Sequence, residues 1–299
     1  MAKSSWDANN IADQTGRVIV ITGATSGIGK ETARVLAGKN AKVIIGARSI
    51  QKANTAIDDI LKEFPEADVT VRELDLSNLD SINVFSSSIN KDFSQLDVLI
   101  NNAGIMMCPY AKTVDGFEMQ MGTNHLGHFA LTLQLLPLLK NTKGSRIVNV
   151  SSMAHRGGNI DFSDFHWVHR KYNTNQAYFD SKLANLLFTY ELAQKLESGK
   201  DNPIVVAAHP GWTSTDLQRH SSVIGFLNNF FAQGAKMGAL PTLMAGFDKD
   251  VKPGDYYGPC RFFEMHGNPI KVKSNQRSHD LHAAKELWQQ SEELTGIRL

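Results

Sequence analysis

Tyr178 and Lys182 are four residues apart in the segment Tyr-Phe-Asp-Ser-Lys. If this segment is helical, both side chains rise from one face, because positions i and i+4 of a helix are neighbours. A free tyrosine has a pKa of about 10, and a nearby ammonium group favours the phenolate and lowers that pKa. The pair is therefore typical of a proton donor for carbonyl chemistry. The spacing alone also fits a packed tyrosine beside a solvated lysine.

A glycine-rich segment stands much earlier in the chain, between an apolar run and a helical pattern, and its sequence is Thr22-Gly-Ala-Thr-Ser-Gly-Ile-Gly29. Glycines let the backbone approach a pyrophosphate, and the N-terminus of the following helix offers free N–H groups to that anion. The Gly-x3-Gly-x-Gly spacing differs from the commoner Gly-x-Gly-x-x-Gly, and a glycine cluster alone is often only a loop. The strand before it and the helix after it favour a dinucleotide-binding turn. The predicted contacts are Gly23, Thr25, Ser26, Gly27, Ile28 and Gly29.

The choice of dinucleotide is made at the end of the second predicted strand. An acidic residue there would bond the ribose 2′-hydroxyl of NAD, whereas an arginine suits the 2′-phosphate of NADP. This chain has Gly46-Ala-Arg48 and no carboxylate at the turn. We expect Arg48, helped by Lys30 or Lys52, to bind the phosphate, and therefore predict NADP(H) over NAD(H). The alternative is a solvated arginine in a loop.

Apolar runs and helical patterns alternate along the chain. Most of the runs are continuous, which favours a parallel sheet with helices on both faces. The predicted strands are residues 17–22, 42–45, 69–74, 96–100, 146–150 and 204–208, and the predicted helices are 28–37, 49–64, 78–93, 116–140 and 175–197. Ser49 and Ser77 are predicted to cap the second and third of these helices. The fold class is therefore α/β, with a doubly wound, Rossmann-type parallel sheet.

We expect one domain over residues 1–299, with a core at 15–212, a substrate lid at 213–235 in an irregular part after Pro210, and a C-terminal helix at 278–296. The net charge of +1 gives no electrostatic footprint for nucleic acid. The two cysteines, Cys108 and Cys260, lack the spacing of a disulfide framework or a metal site, so no metal is predicted. No signal peptide is evident, and the longest apolar stretch is shorter than the roughly 20 residues that span a bilayer. We interpret the protein as cytoplasmic.

In this order, these segments resemble the short-chain dehydrogenase/reductase family over about residues 16–215. The further motifs that carry the resemblance are Asp75-Leu76 after the third strand, Asn101-Asn102-Ala103-Gly104 after the fourth, Asn124 in the long helix, Val150-Ser151-Ser152 after the fifth, and His209-Pro210-Gly211-Trp212-Thr213 after the sixth. The threonine of the last motif comes one position early, and Thr215 is the other candidate.

The resemblance implies hydride transfer between a nicotinamide and a carbonyl or alcohol carbon. It implies a catalytic set of Asn124, Ser152, Tyr178 and Lys182, in which Tyr178 donates a proton and Ser152 binds the same oxygen. Lys182 would keep the phenol acidic, and Asn124 would support a water chain. Alternatives stay open for Ser152, which could share the strand-end role of Ser151, and for Asn124, which could anchor a helix kink or a loop. The further cofactor contacts that it implies are Asp75, Leu76, Asn102, Ala103, Gly104, Tyr178, Lys182, Pro210, Gly211, Thr213 and Thr215.

The resemblance is greatest to the retinol-dehydrogenase-like branch, which includes WW-domain oxidoreductases and protochlorophyllide reductases. Ser152 and Tyr178 are farther apart than in the minimal family pattern, and the insertion obscures the pocket. Its aromatic residues are Phe162, Phe165, His166, Trp167 and Tyr172. We interpret His155, His166 and His169 as pocket-rim or surface residues. Two alternatives to carbonyl chemistry remain: reduction of a C=C bond, and a non-catalytic NADP(H) sensor.

The segment 223–231 (VIGFLNNFF) is apolar and follows the Thr213/Thr215 turn. In this family that position is a variable substrate lid, and an apolar lid indicates an apolar or bulky substrate. An interface is the second interpretation. A membrane contact is the third, because the segment lacks a strong Lys/Arg face. The expected partner is therefore a small apolar carbonyl or alcohol substrate, and a homo-oligomer is possible.

Overall fold

A computed structural model describes residues 6–197, 199, 202–212 and 234–299. Its strands are β1 (Val18–Thr22), β2 (Lys42–Ala47), β3 (Val69–Glu73), β4 (Val98–Asn101), β5 (Arg146–Val150), β6 (Ile204–Ala208), β7 (Tyr256–Arg261) and β8 (His266–Lys271). They form a sheet of order β3-β2-β1-β4-β5-β6-β7-β8, in which only the β7–β8 pair is antiparallel among these described strands. The predicted single α/β domain with a doubly wound parallel sheet is confirmed.

The helices are α1 (Gly27–Ala37), α2 (Ile50–Glu63), α3 (Leu79–Asp92), α4 (Met119–Met121), α5 (Gly127–Lys140), α6 (Thr174–Leu196), α7 (Ala235–Phe247) and α8 (Leu281–Thr295). Apolar residues of α1, α2 and α7 pack on one face of the sheet, and those of α3, α5 and α6 pack on the other. Every residue of β1 is therefore buried, as expected for a strand covered on both faces.

Most predicted elements agree with the structure, but one predicted cap is wrong. Ser49 caps α2 by accepting the Lys52 N–H at 3.3 Å. The cap of α3 is Asn78 rather than Ser77, because the Asn78 side chain accepts the N–H groups of the first turn. The Ser77 hydroxyl instead donates to Asp75 Oδ1 at 2.6 Å.

The helix predicted over residues 116–140 begins later and is interrupted. Its first turn, α4, begins after Glu118, whose carboxylate accepts the first N–H groups. A π-helical turn at Gly122–Leu126 then separates α4 from α5. Gly127 at the start of α5 lies against the loop after β3, where a Cβ would be 2.3 Å from the Leu76 main-chain oxygen. Such π turns often occur at functional sites.

The chain after Pro210 is more regular than predicted, because α7, β7 and β8 extend the fold beyond residue 212. These elements lack clear sequence patterns: α7 is apolar nearly all round and contains Pro241, and β7 and β8 each contain glycine and proline. The predicted C-terminal helix is present as α8. Residues 213–233, with Thr213, Thr215 and most of the proposed lid, lie outside the described residues. Among the described helices, none combines the length and the hydropathy needed to cross a bilayer.

Candidate active site

The glycine turn between β1 and α1 forms one wall of the site. Gly23 and Gly27 have φ values of 71° and 55°, in the left-handed region that favours glycine. A Cβ on Gly23 would lie 2.7 Å from Ala103 Cα, and one on Gly29 would lie 2.5 Å from Asn102 Nδ2. Ser26 is the N-cap of α1, but its hydroxyl makes no capping hydrogen bond. The first N–H groups of α1 are therefore available to an anion, which fits a pyrophosphate.

Thr22 joins this turn to the segment after β4. Its hydroxyl oxygen accepts the N–H groups of Asn102 and Ala103 at 3.0 and 2.9 Å, and its carbonyl accepts Asn102 Nδ2 at 2.9 Å. The structure thereby brings Asn102 and Ala103 against the glycine turn. A Cβ on Gly104 would lie 3.3 Å from Asn124 Oδ1 and 3.5 Å from Lys182 Nζ. This one segment therefore connects the proposed phosphate site to the proposed catalytic groups.

Arg48 and Asp75 follow β2 and β3 at the same edge of the sheet. Arg48 is exposed, and no ion pair between described residues involves it. Lys30, predicted to assist it, instead contacts Asp59 at 2.6 Å. Asp75 is half-buried and accepts hydrogen bonds from Ser77. The position of Arg48 therefore leaves its guanidinium group available to a ligand beside the glycine turn.

Ser152 and Tyr178 come from different elements, and the Ser152 hydroxyl lies close enough to the Tyr178 phenol to lower its pKa. Ser152 follows β5 and is the N-cap of a 3-10 helix, Met153–Gly157, so its Oγ accepts the Ala154 N–H at 3.1 Å. Its own proton is therefore free to be donated to a second oxygen. The neighbouring Ser151 instead donates to the Lys182 main-chain oxygen at 2.8 Å, which packs β5 against α6. The two serines thus have different roles, and only Ser152 faces the phenol.

The acidity of Tyr178 differs from the sequence-based expectation. Burial raises the pKa of Tyr178 to about 12, and the nearby Ser152 hydroxyl only partly opposes that rise. Lys182 Nζ lies 5.8 Å from the centre of the Tyr178 ring. The net shift is thus opposite to the lowering predicted from Lys182, because desolvation is the largest influence on the pKa of Tyr178. The phenol stays protonated at neutral pH, which is the form that a proton donor requires.

Lys182 is itself a buried cation. Its side chain is enclosed beneath β5, where Nζ donates to the Val150 main-chain oxygen at 3.2 Å. Burial lowers the pKa of Lys182 to about 8. The folded protein therefore binds this proton less tightly than the unfolded chain, whose lysines have a pKa of about 10.4.

This difference predicts that Lys182→Met stabilises the cofactor-free protein. Below pH 8 the lysine is charged in both states, so the whole burial penalty, about 3 kcal/mol, opposes folding. The penalty then decreases as the pH rises from 8 to about 10.4. Allowing for the lost hydrogen bond to Val150, we expect the free energy of unfolding to rise by about 1–2 kcal/mol at pH 7. Urea denaturation at pH 7 and pH 10 measures it.

Lys62→Met is the matched control for that experiment, because the Lys62 side chain on α2 is 75% exposed. We expect its effect to stay within about 0.5 kcal/mol at both pH values. A Lys182→Met protein that is less stable than the wild type at pH 7 would contradict the prediction, as would a gain that persists undiminished at pH 10.

Asn124 is fully buried in the π-helical turn. Both polar atoms of its side-chain amide are hydrogen-bonded: Oδ1 accepts the Ile105 N–H at 2.8 Å, while Nδ2 donates to the Ile105 oxygen at 2.9 Å and to Ser181 Oγ at 3.0 Å. The side chain therefore anchors the loop after β4 to α6. The predicted role of Asn124 in a water chain stays a prediction.

His128 was not predicted as a site residue. Its Nδ1 lies 3.0 Å from the Asn124 main-chain oxygen, and its Nε2 lies 2.9 Å from Thr22 Oγ1. Since a carbonyl only accepts, Nδ1 carries the proton and Nε2 accepts from Thr22. Burial lowers the pKa of His128 to about 4, so the ring is neutral. His128 thus links the glycine turn to the π-helical turn. In the sequence, the one feature that could have indicated this role is a histidine at the start of an apolar helix.

The insertion between Ser152 and Tyr178 packs against the loop after β4. Tyr172 donates to the buried carboxylate of Glu118 at 2.8 Å and accepts from Gln120 at 2.9 Å. Gln120 also accepts the Met107 N–H at 2.8 Å. Burial raises the pKa of Glu118. The insertion thus fixes the loop that carries Met107, at the rim of the site.

His155 is not a rim or surface residue as predicted. It is fully buried, and its Nδ1 contacts the Ser152 main-chain oxygen at 2.6 Å. His166 is half-buried and accepts the Glu118 N–H at 3.3 Å, whereas His169 is exposed. In the described part of the chain, no group of three or more His, Cys, Asp or Glu residues is arranged to hold a metal ion.

Pro210 and Gly211 follow β6 at the same edge of the sheet. Gly211 has a φ of 71°, and its N–H donates to His209 Nδ1 at 3.3 Å. The structure therefore brings the described members of the predicted site to one edge, where β1, β4, β5 and β6 end. In open α/β sheets, ligands bind at this edge, near the point where the strand order reverses.

Comparisons with known proteins agree with this geometry. The family model described as short chain dehydrogenase matches residues 17–223. The chain is 42% identical over 288 residues to retinol dehydrogenase 12 of Homo sapiens, covering 95% of this chain and 87% of that protein. It is 40% identical over 291 residues to retinol dehydrogenase 13 of Homo sapiens, covering 94% and 85%.

Solved structures are similar over nearly the whole chain. A crystal structure of an uncharacterized protein from Mycobacterium paratuberculosis has a TM-score of 0.84 and 41% identity, covering 99% of this chain and 100% of that one. A short chain dehydrogenase from Shigella flexneri has a TM-score of 0.62 and 22% identity, covering 84% and 95%. The second likeness concerns the fold alone.

Proposed function

This chain belongs to the short-chain dehydrogenase family, and we propose that it is an NADP(H)-dependent oxidoreductase acting on an apolar alcohol or carbonyl compound. One observation carries the proposal: the Ser152 hydroxyl lies close to the Tyr178 phenol, beside Lys182, at the sheet edge that carries the glycine turn. A protein that only binds a nucleotide has no need of this pair of hydroxyl groups. Members of the family bind a nicotinamide cofactor, which supplies or accepts the hydride.

Each catalytic side chain has a task that its surroundings support. In the reductive direction, the protonated Tyr178 donates its proton to the oxygen that develops negative charge. The Ser152 oxygen already accepts the Ala154 N–H, which leaves the Ser152 proton to be donated. The Ser152 hydroxyl donates it to the same substrate oxygen and stabilises the charge there. Lys182 supplies a buried positive charge within reach of Gly104, where we propose that it binds the nicotinamide ribose.

The apolar substrate is supported by two features. The relatives named above are retinol dehydrogenases, and retinol is a long apolar alcohol. The sequence of the proposed lid at 213–235 is apolar over 223–231. At the rim, Met106 and Met107 are partly exposed in the loop that Gln120 fixes. Methionine side chains adapt to irregular apolar ligands.

The test is oxidation of NADPH by the purified protein with a panel of aldehydes and ketones that includes retinal. The panel should also contain conjugated enones, and products should be identified by mass spectrometry and chromatography, since reduction of a C=C bond consumes the same cofactor. Turnover to alcohols above the Tyr178→Phe background supports the proposal. Tight NADPH binding without turnover of any member would favour the sensor instead.

Arg48→Ala is expected to weaken the use of NADPH selectively. A charge-assisted hydrogen bond contributes about 1.5–3 kcal/mol, so kcat/KM for NADPH should fall roughly 10- to 100-fold. The value of kcat/KM for NADH should change less than about twofold, because NADH lacks the 2′-phosphate. Steady-state kinetics with both cofactors measures the effect.

Arg48→Lys is the conservative control. Its kcat/KM for NADPH should fall less, since lysine keeps the positive charge but lacks the planar guanidinium group that binds a phosphate with two hydrogen bonds. Equal losses with NADPH and NADH in Arg48→Ala would show that the arginine supports only the loop. No loss with NADPH would remove Arg48 from the cofactor site.

A further inference from the structure

The turn between β7 and β8 has an unusual backbone. Three successive residues, Phe262, Phe263 and Glu264, have φ values of 49°, 54° and 67°, all in the left-handed region. Residues with a Cβ rarely adopt this conformation, and a run of three has to be held by its surroundings. Because β7 is parallel to β6, the turn lies at the same edge of the sheet as the active site.

Glu264 makes the contacts that hold this turn. Its Oε2 lies 3.2 Å from His209 Nε2, and its Oε1 lies 2.9 Å from an Arg156 guanidinium nitrogen. His209 is fully buried, and its Nδ1 accepts the Gly211 N–H. Nε2 therefore carries the proton of the neutral ring and donates it to Glu264. One carboxylate thus joins two segments that are far apart in the sequence.

Both segments continue directly into the active site. On one side, His209 precedes Pro210 and Gly211, which are the proposed cofactor contacts. The next residue, Trp212, donates its N–H to the Met265 main-chain oxygen at 3.0 Å. On the other side, Arg156 belongs to the 3-10 helix that follows Ser152. In that helix the neighbouring His155 contacts the Ser152 main-chain oxygen at 2.6 Å.

The packing around these contacts leaves little freedom of movement. A Cβ on Gly258 of β7 would lie 2.0 Å from His209 Nε2. A Cβ on Gly211 would lie 2.4 Å from the Met265 main-chain oxygen. The β7–β8 turn therefore sits directly against the segment after β6, and the position of either one determines that of the other.

From this arrangement we propose that Glu264 is a positioning residue for hydride transfer, which sets the segment at Pro210–Gly211 relative to the Ser152 turn. The inference rests on the proposed function. Glu264 acts through His209 and Arg156 and is assigned no contact with substrate or cofactor. Its loss should disturb the alignment of the nicotinamide while leaving the glycine turn, which lies at the far side of the site, unchanged.

The experiment compares Glu264→Ala and Glu264→Gln with the wild-type protein in single-turnover oxidation of bound NADPH by a carbonyl substrate identified with the panel above. We expect the hydride-transfer rate of Glu264→Ala to fall roughly 10- to 100-fold, because misplacement by about 1 Å has effects of this size. The glutamine of Glu264→Gln can still accept a hydrogen bond from His209, so the hydride-transfer rate of this variant should fall less. The Kd for NADPH, from fluorescence titration, should stay within about threefold. The fluorescence anisotropy of bound NADPH should decrease in Glu264→Ala, since a less constrained nicotinamide moves more.

Glu63→Gln is the matched control, because Glu63 pairs with Arg34 on α1 and its side chain is 51% exposed. It should leave the rate and the anisotropy unchanged. Wild-type rates in both Glu264 variants would overturn the inference, and so would a loss confined to the Kd for NADPH. If Glu264→Ala does not fold, Glu264→Gln and Arg156→Met are judged by the same two criteria. A wild-type protein that does not bind or oxidise NADPH would instead refute the proposed function.

Discussion

Tyr178→Phe is expected to lower kcat for carbonyl reduction roughly 10²- to 10⁴-fold, the range that positioned proton donors contribute. The substitution removes only the hydroxyl near Ser152, and the ring is 8% exposed, so its packing should persist. The Kd for NADPH should stay within about threefold, since the glycine turn and the Asn102–Gly104 segment are untouched. Stopped-flow oxidation of NADPH, together with fluorescence titration, measures both quantities.

Tyr190→Phe is a close control on the same helix. Its hydroxyl also meets a serine, Ser274 Oγ at 2.8 Å, and burial raises its pKa as well. Tyr190 belongs to the packing of α6 away from the glycine turn, so we expect kcat to change less than about twofold. A Tyr178→Phe enzyme that keeps more than a tenth of its activity would exclude the phenol as the proton donor. Equal losses in the two variants would indicate a general effect of removing buried hydroxyl groups.

The convergence of Ser152 and Tyr178 could be predicted from the sequence although an insertion separates them. Continuous apolar runs identify parallel strands, and the ends of parallel strands meet at one edge. A serine after β5 and a helix leading into β6 therefore come together whatever the length of the loop between them. The glycine turn is local in the same way, because its conformation follows from adjacent residues.

The electrostatics of the site could not be predicted from spacing. An i, i+4 pair places Tyr178 and Lys182 on one face of α6, but it does not show that both are buried or that the Lys182 ammonium group turns toward the Val150 carbonyl. Burial raises the pKa of Tyr178 and lowers the pKa of Lys182. Both shifts favour the neutral forms, so desolvation is the largest influence on both pKa values.

Contacts between distant residues were missed for a related reason. His128 meets Thr22, and His209 meets Glu264, across long stretches of chain. Such pairs are defined by the tertiary fold and leave no periodic pattern in the sequence. The π turn at Asn124 was missed because its residues continue a helical pattern. A buried histidine within an apolar helix is the one local feature that points to a polar network of this kind.

Gly23→Ala is expected to be the most damaging of the small substitutions in the cofactor turn. An alanine there must adopt a left-handed φ, which costs about 1–2 kcal/mol, and its Cβ would lie 2.7 Å from Ala103 Cα. The Ala103 main chain is held by its hydrogen bond to Thr22, so it cannot move aside as a flexible side chain could. Overpacking of this kind adds about 1–3 kcal/mol. We therefore expect a loss of about 3 kcal/mol in the free energy of unfolding, together with a Kd for NADPH at least roughly 10-fold weaker.

Gly16→Ala separates the two contributions. Gly16 also has a left-handed φ, 80°, but apart from Gly16 and its two chain neighbours no atom of the described residues lies within 4 Å of the position its Cβ would occupy. It should show the backbone cost alone, about 1 kcal/mol, with an unchanged Kd for NADPH. Urea denaturation and fluorescence titration of both variants give the comparison. If the two alanine variants lose the same free energy of unfolding, the close approach of Gly23 to Ala103 does not contribute to the loss. If only Gly23→Ala weakens the binding of NADPH, the contact between the glycine turn and the segment after β4 shapes the cofactor site.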